Sequence, residues 1–366
     1  MTRLTSAQAF LDWALEGREI AGSLFLDFGG YVTEVRSNSR ELLDSLYDYF
    51  RDFQTQEVPE AHTVIHALEG PAPEPSVLGA EFTVKQPDPG KTKIKEEYLQ
   101  LPDGRAVRKR LTGMLFVFGG GLNVALGPCR ENDNHVVNFI NNRFIEWTLD
   151  RGSLLFHAAG VAKGERGMAF AGFSGMGKST LALHVMRLNT DFVSNDRLMV
   201  TRASDGDPET GLIMYGVAKM PRINPGTVLH NPSLAPVMDE DERDRFAAMP
   251  ENELWTLEHK YDAFIDECFG EGRFRLAAPM SSLVLLNWKR GGGELILNRV
   301  DLSRRDDLMP AFMKSPGLFY RPGDSRMLDF SEEAYRELLK NCPVYELSGG
   351  VDFERAAEKC VALLER

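Results

Sequence analysis

Cysteine is scarce in this chain, with four among 366 residues: Cys129, Cys268, Cys342 and Cys360. None stands in C-x-x-C spacing, which excludes a thiolate zinc site and a disulfide framework and leads us to expect a reducing cytoplasm. The seven histidines show no metal-ligand spacing either. No apolar run approaches the ~20 residues that cross a bilayer. The opening stretch MTRLTSAQAFLDWALEGREI lacks the apolar centre of a signal peptide. The expectation is a soluble, cytoplasmic protein with no membrane partner. Basic residues are outnumbered, 42 Lys and Arg against 54 Asp and Glu, for a net charge of -12. A surface of that sign repels nucleic acid, so no nucleic-acid partner is expected. The one dense basic run, RAVRKR at Arg105 to Arg110, reads as a solvated strand or loop edge. Internal repeats and a coiled-coil period are also missing.

What is present is core material: 43% of the residues are hydrophobic, enough for two domains. SAQAFLDWALEG has helical spacing, with Phe10, Trp13 and Leu15 near one face. GSLFLDFGGYVTEVRSN reads as two strands around a Gly29-Gly30 turn. SRELLDSLYDYFRDF is an amphipathic helix with Leu42, Leu46 and Phe50 on one face, capped by Ser39. EGPAPEPSV and KQPDPGKTK are loops. GMLFVFGGGLNVALGP is a strand pair, and DNHVVNFINNRFIEWTLDRG is a helix leading into the second half. The pattern changes near Arg151, which gives an N-terminal α/β domain over 1–150, partner-facing, and a second domain over 151–366.

In the second half, short apolar runs (SLLFHAAGVAK, GMAFAG, DFVSND, SSLVLLNWKR, GELILNRV, CPVYEL) alternate with helical stretches. That alternation argues for an α/β domain with a mixed sheet. LEHKYDAFIDECFGEGRF, carrying Lys260 and Asp262, reads as an irregular surface insertion. AKMPRINPGT places Lys219 and Arg222 in a loop that faces either a ligand or solvent. RPGDSR, at Arg321 to Arg326, reads as a surface turn.

One stretch carries chemistry. GFSGMGKS, Gly172 to Ser179, fits G-x-x-x-x-G-K-[ST] between a strand and a helix. In such a loop, Gly172, Gly175 and Gly177 allow tight turns and close approach of the backbone. The N–H groups from Gly172, Ser174, Gly175, Met176 and Gly177 through Lys178, Ser179 and Thr180 can then cradle phosphates. Lys178 can reach the β and γ phosphates, and the Ser179 hydroxyl can ligate Mg²⁺. Asp196, in VSND at the end of the next strand, is the acidic candidate for metal binding or proton transfer. His157, in LLFHAAG, stands among apolar neighbours. On its own it reads more readily as a satisfied core residue than as a functional one. The expected ligands are ATP and Mg²⁺.

FHAAGV at Phe156 to Val161, GFSGMGKSTLAL at Gly172 to Leu183 and FVSNDRLMV at Phe192 to Val200 resemble the HPr kinase/phosphorylase superfamily. Within it they are most similar to HPr kinase-related proteins of the group called HprK-related kinase B. The resemblance implies a P-loop kinase domain of the HPr kinase / phosphoenolpyruvate carboxykinase type, with a smaller N-terminal α/β domain. It implies catalytic roles for Asp196, His157 and Lys178, and metal contacts for Ser179 and Asp196. The family has paired aspartates where this chain has Asn195-Asp196, and an amide cannot take a proton near neutral pH. Three functions stay open: an ATP-dependent kinase with an unidentified acceptor such as a protein serine, a small-molecule kinase, and a nucleotide-gated binding module. Homo-oligomer formation is compatible with each.

Overall fold

The computed structural model describes residues 4–56, 58, 60–87, 92–203, 211–250, 253–254, 257, 259–322 and 328–366. The chain divides into two units, Met1–Trp147 with Pro316–Ser325, and Thr148–Ser315 with Arg326–Arg366. The sequence reading has no counterpart for the return of 316–325 to the first unit.

In the first unit, Ser6 caps α1 (Ala7–Leu15) by accepting the Ala9 N–H at 3.1 Å. The buried face of α1 is Ala7, Phe10, Leu11 and Ala14. This 3.6-residue stripe leaves Trp13 and Leu15 half-buried beside it, a correction to the expected face. Strands β1 (Gly22–Asp27) and β2 (Val32–Ser37) pair across Gly29 and Gly30, both at positive φ. Helix α2 (Arg40–Tyr49) starts where Ser39 Oγ accepts the Leu42 N–H at 3.2 Å. Leu42, Leu46 and Phe50 are fully buried.

The remaining elements are β3 (Thr63–Glu69), β4 (Thr83–Val84), β5 (Glu96–Gln100), β6 (Arg105–Lys109), β7 (Leu115–Gly119), β8 (Leu122–Gly127) and α3 (Asp133–Leu149). The strands form one sheet in the order β1-β2-β3-β8-β7-β6-β5-β4. The basic run is β6, an interior strand and not an edge, with Ala106 and Val107 fully buried. Arg108 pairs with Glu97 at 2.7 Å and Lys109 pairs with Glu96 across β5, so its charge is locally cancelled. Of RPGDSR, only Arg321 and Pro322 lie within the described residues. Arg321 donates to the Asp103 carbonyl at 2.8 Å. KQPDPGKTK likewise lies partly outside the described residues.

The second unit is built on β9 (Leu154–Phe156), β10 (Ala158–Lys163), β11 (Arg166–Gly172), α4 (Lys178–Met186), β12 (Asp191–Ser194), β13 (Leu198–Arg202) and β14 (Leu212–Tyr215). There follow β15 (Arg222–Ile223), α5 (Pro225–Leu229), α6 (Glu240–Ala247), β16 (Tyr261–Asp262), α7 (Ile265–Phe269), β17 (Ala277–Leu286) and β18 (Ile296–Val300). The last elements are α8 (Glu332–Leu339), β19 (Val344–Ser348) and α9 (Phe353–Leu364).

The main sheet runs β12-β10-β11-β17-β14-β13-β9, with β19 on the C-terminal half of β17 and β18 beyond β19. It is mixed: β11–β17 and β17–β19 are parallel, and the other pairs are antiparallel. β17 and β18 stand either side of Gly291, Gly292 and Gly293, which suggest a hairpin turn in the sequence, but they do not pair, because β19 lies between them.

Alternation along the strands sorts the core into two faces. Val161, Met168, Phe170, Val284 and Leu286 face the layer that contains Leu181, Val185 and Cys360 of α4 and α9. Ala158, Ala169, Ala171, Leu283 and Leu285 face Phe312, Tyr335 and Leu339. The architecture is therefore mixed α/β, with helices on both faces of the sheet. The stretch around Tyr261 is not a surface insertion, since Ala263 and Ile265 are fully buried in the same core as α4. Its apolar residues are few but inward-facing, and the flanking charges obscure them in the sequence. All four cysteines are free thiols, and burial pushes Cys268, Cys342 and Cys360 up to about 12. Among the described residues no helix is long and apolar enough to cross a membrane.

Candidate functional site

The site grows from the turn between β11 and α4. Gly172 ends the strand where an added Cβ would sit 3.0 Å from Leu286 of the neighbouring parallel strand. Gly175 and Gly177 have φ of +82° and +84°, which L side chains rarely adopt. At Gly177 an added Cβ would also lie 2.6 Å from Phe353 Cζ, at the start of α9. These glycines let the backbone turn sharply into α4. Among the described residues, no partner accepts the backbone N–H of Gly175, Gly177, Lys178 or Ser179. Orphan donors at the start of a nine-residue helix form an anion nest, reinforced by the helix dipole.

Other elements hold the loop in place. Trp288, just beyond β17, donates its indole N–H to the Met176 carbonyl at 2.9 Å. Thr180 shares a hydrogen bond with Thr227 of α5 at 3.0 Å, and Thr227 in turn donates to Asn224 Oδ1 at 3.0 Å. His184 packs its ring on Phe353, with centroids 5.4 Å apart, and is buried. Lys178 is only 9% exposed and donates to the Gly172 carbonyl at 2.9 Å, so the ammonium lies over its own loop. Burial pushes its pKa below the ordinary lysine value; Asp196 raises it and Lys314 lowers it.

These groups open on a cavity of about 590 Å³. Lys178, Arg222, Lys260, Lys289 and Arg290 line it, and among the described lining residues Asp196 is the one acid. Asp196 Oδ1 lies 3.1 Å from His157 Nε2, and its Oδ2 lies 3.9 Å from Arg197 Nε. Burial by the surrounding walls opposes ionisation of Asp196. The His157 hydrogen bond and charge, with Arg197 and Lys314, outweigh that and hold the carboxyl well below the usual carboxylate range. His157 sits at the break between β9 and β10, fixed by its backbone N–H to the Phe312 carbonyl at 2.8 Å. The Asn195 side-chain oxygen is buried without a hydrogen-bond partner.

The structure therefore gathers Gly175, Met176, Gly177, Lys178, Ser179, Thr180 and Asp196 around one cavity. Gly172 and Ser174 belong to the same loop but do not line it, and Ser174 is exposed. His157 stands behind Asp196, outside the lining. Arg222 faces this cavity, and burial holds the pKa of Lys219 below the usual lysine value. Sequence reasoning passed over Trp288, Lys289, Arg290, Phe353 and Lys314. A usable signal for three of them is their place just past the carboxyl end of a long apolar strand, where α/β sheets bind ligands.

A divalent cation has a restricted donor set here. Among the described residues no group of three or more His, Cys, Asp or Glu side chains could hold a metal. Ser179, whose hydroxyl makes no hydrogen bond to the described protein, and Asp196 remain. Two oxygen donors fit Mg²⁺ carried in with phosphates and water, not a dedicated protein cage.

No family model matches the chain, and no curated protein does. One solved structure it is similar to is described as the Hpr(Ser) kinase/phosphatase from Coxiella burnetii. The match covers 58% of this chain and 92% of that one, at 12% identity and a TM-score of 0.27.

Proposed function

We propose that the second unit is an ATP-dependent phosphotransferase. The observation that supports this best is one cavity combining the orphan N–H nest, the buried Lys178 and the ionised Asp196. A nest alone would suit any anion. A nest with a lysine and a carboxylate held ionised suits transfer of a phosphoryl group to a hydroxyl. Lys178 leaves the Gly172 carbonyl to neutralise the β and γ phosphates. Asp196 accepts a hydrogen bond from the acceptor hydroxyl and orients it, and His157 holds the Asp196 carboxylate in place. In a loose transition state this positioning matters more than basicity, so a carboxylate of low pKa serves. Ser179 and Asp196 would hold Mg²⁺, which, when bound, neutralises charge on the phosphates. The resemblance of FHAAGV, GFSGMGKSTLAL and FVSNDRLMV to HPr kinase relatives supports the same reading.

The test is calorimetric titration with ATP and Mg²⁺. Wild type should bind, and Lys178→Ala should lose on the order of 10²-fold in affinity, because its removal leaves phosphate charge unneutralised. Equal affinity in the two proteins would overturn the reading. Asn195 favours a second reading, a nucleotide-gated binding module, because its amide supplies no second carboxylate. Under that reading ATP binds but no γ-phosphoryl group leaves it in any lysate of the source cell.

A further inference from the structure

The cavity carries more positive charge than a nucleotide on the loop uses, and the excess lies to one side. Lys178 belongs to the nest, and Lys289 and Arg290 follow Trp288, which is bonded to the loop. Arg222 and Lys260 come from elsewhere, the paired strands β15 and β16 and the residue just before β16. Lys219, Arg222 and Asp262 share an electrostatic neighbourhood with Asp196 and Arg197. Arg222 and Lys260 therefore enter the cavity that holds Asp196 from the β15–β16 pair, apart from the glycine loop. Arg222 is half exposed, and Asp262 meets its Nε from one side only, at 3.5 Å. All this sits in a chain of net charge -12, so the positive cavity runs against the composition of the whole chain.

Resting on the phosphotransferase reading, we infer that the acceptor is a small molecule carrying its own anionic group, bound by Arg222 and Lys260. The cavity, about 590 Å³, falls in the ~300–1,000 Å³ range of small-molecule sites. An arginine and a lysine suit a phosphate or a carboxylate, the arginine through two parallel N–H donors. The bound anion holds the acceptor hydroxyl against Asp196. In transfer, the acceptor oxygen forms a bond to the γ-phosphorus. The bond from that phosphorus to the β,γ-bridging oxygen breaks, and its electron pair leaves with ADP. The hydroxyl proton passes to the Asp196 carboxylate and then to water.

The test uses the full chain saturated with the non-hydrolysable analogue AMPPNP and Mg²⁺. Glycerol 3-phosphate and malonate are titrated by calorimetry as phosphate and carboxylate probes. At least one should bind at one equivalent without displacing AMPPNP. Arg222→Gln and Lys260→Gln should each weaken that second binding at least tenfold, while AMPPNP affinity falls less than threefold. The stronger probe tells phosphate from carboxylate. Lys260 is exposed, so Lys260→Gln tests the idea without risk to folding. Probes that only compete with AMPPNP, or second-site binding unchanged in both variants, overturn the inference. So does transfer of labelled γ-phosphate to a lysate protein with none to small molecules. If AMPPNP itself fails to bind wild type, the phosphotransferase reading has failed instead.

Discussion

The Asp196 carboxylate meets the His157 imidazole at 3.1 Å, although the two come from different strand ends. The partner lowers the Asp196 pKa in the folded state. A carboxyl shifted that way contributes stability that is fully present above its unfolded value of about 3.9 and is lost as pH falls through the folded value. The stability difference between wild type and Asp196→Asn should thus be the same at pH 5 and pH 4.5, and shrink only below about 3.9. The effect is small, since 52% of the Asp196 side chain stays open to solvent. Urea unfolding across this range checks it. A difference already lost at pH 4.5 would mean that the pair does not hold Asp196 ionised.

The same carboxylate governs turnover in the proposed reaction. Asp196→Asn should slow phosphoryl transfer by about 10²–10⁴-fold while ATP still binds. Asn195→Asp should not slow it. A second carboxylate next to Asp196 raises its pKa by like-charge repulsion and makes it the better base. Single-turnover transfer of labelled phosphate measures both variants. A slower Asn195→Asp enzyme would show that the amide is required as it stands.

Gly177 joins two constraints, a left-handed backbone and contact with Phe353. Gly177→Ala should cost about 1–2 kcal/mol for the backbone alone, with more from the ring that must move. Phe353→Ala should relieve the second cost and leave the first. Thermal unfolding of the two single variants and the double variant separates them. Full recovery in the double variant would mean that the φ constraint is negligible.

Trp288→Phe removes the indole N–H from the Met176 carbonyl and leaves a smaller ring at a buried position. The expected loss of stability is about 1 kcal/mol for the hydrogen bond, with more from the void left by the smaller ring. Nucleotide affinity should fall several-fold more than this stability change would suggest for a remote site, because the loop itself loosens. Calorimetry beside unfolding curves tests the split. A change in stability without a change in affinity would make Trp288 a core residue only.

Local pattern makes part of this molecule legible. The Gly29-Gly30 turn, the Ser39 cap and the run from β11 through the glycine loop into α4 are each written within a few consecutive residues. The edges of the reading fail where distant strands decide. β6 looks like a charged edge until β5 supplies Glu96 and Glu97 beside it. β17 and β18 look like neighbours until β19 enters between them. Trp288, Lys289 and Arg290 reach the loop only because β17 pairs in parallel with β11, a contact with no local signature. Ala263 and Ile265 are hidden among charges for the same reason.

The contrast between a positive cavity and a chain of net charge -12 has a kinetic consequence. An anionic ligand meets a repulsive field at long range and an attractive one near the mouth. Salt shortens the reach of both, with a Debye length of ~30 Å at 0.01 M and ~10 Å at 0.1 M. The outer repulsion is screened first, because it acts over the larger distance. Association should accordingly speed up as salt is first added, pass through a maximum, and slow once the screening length shrinks to the width of the mouth. A basic protein would show only the falling limb.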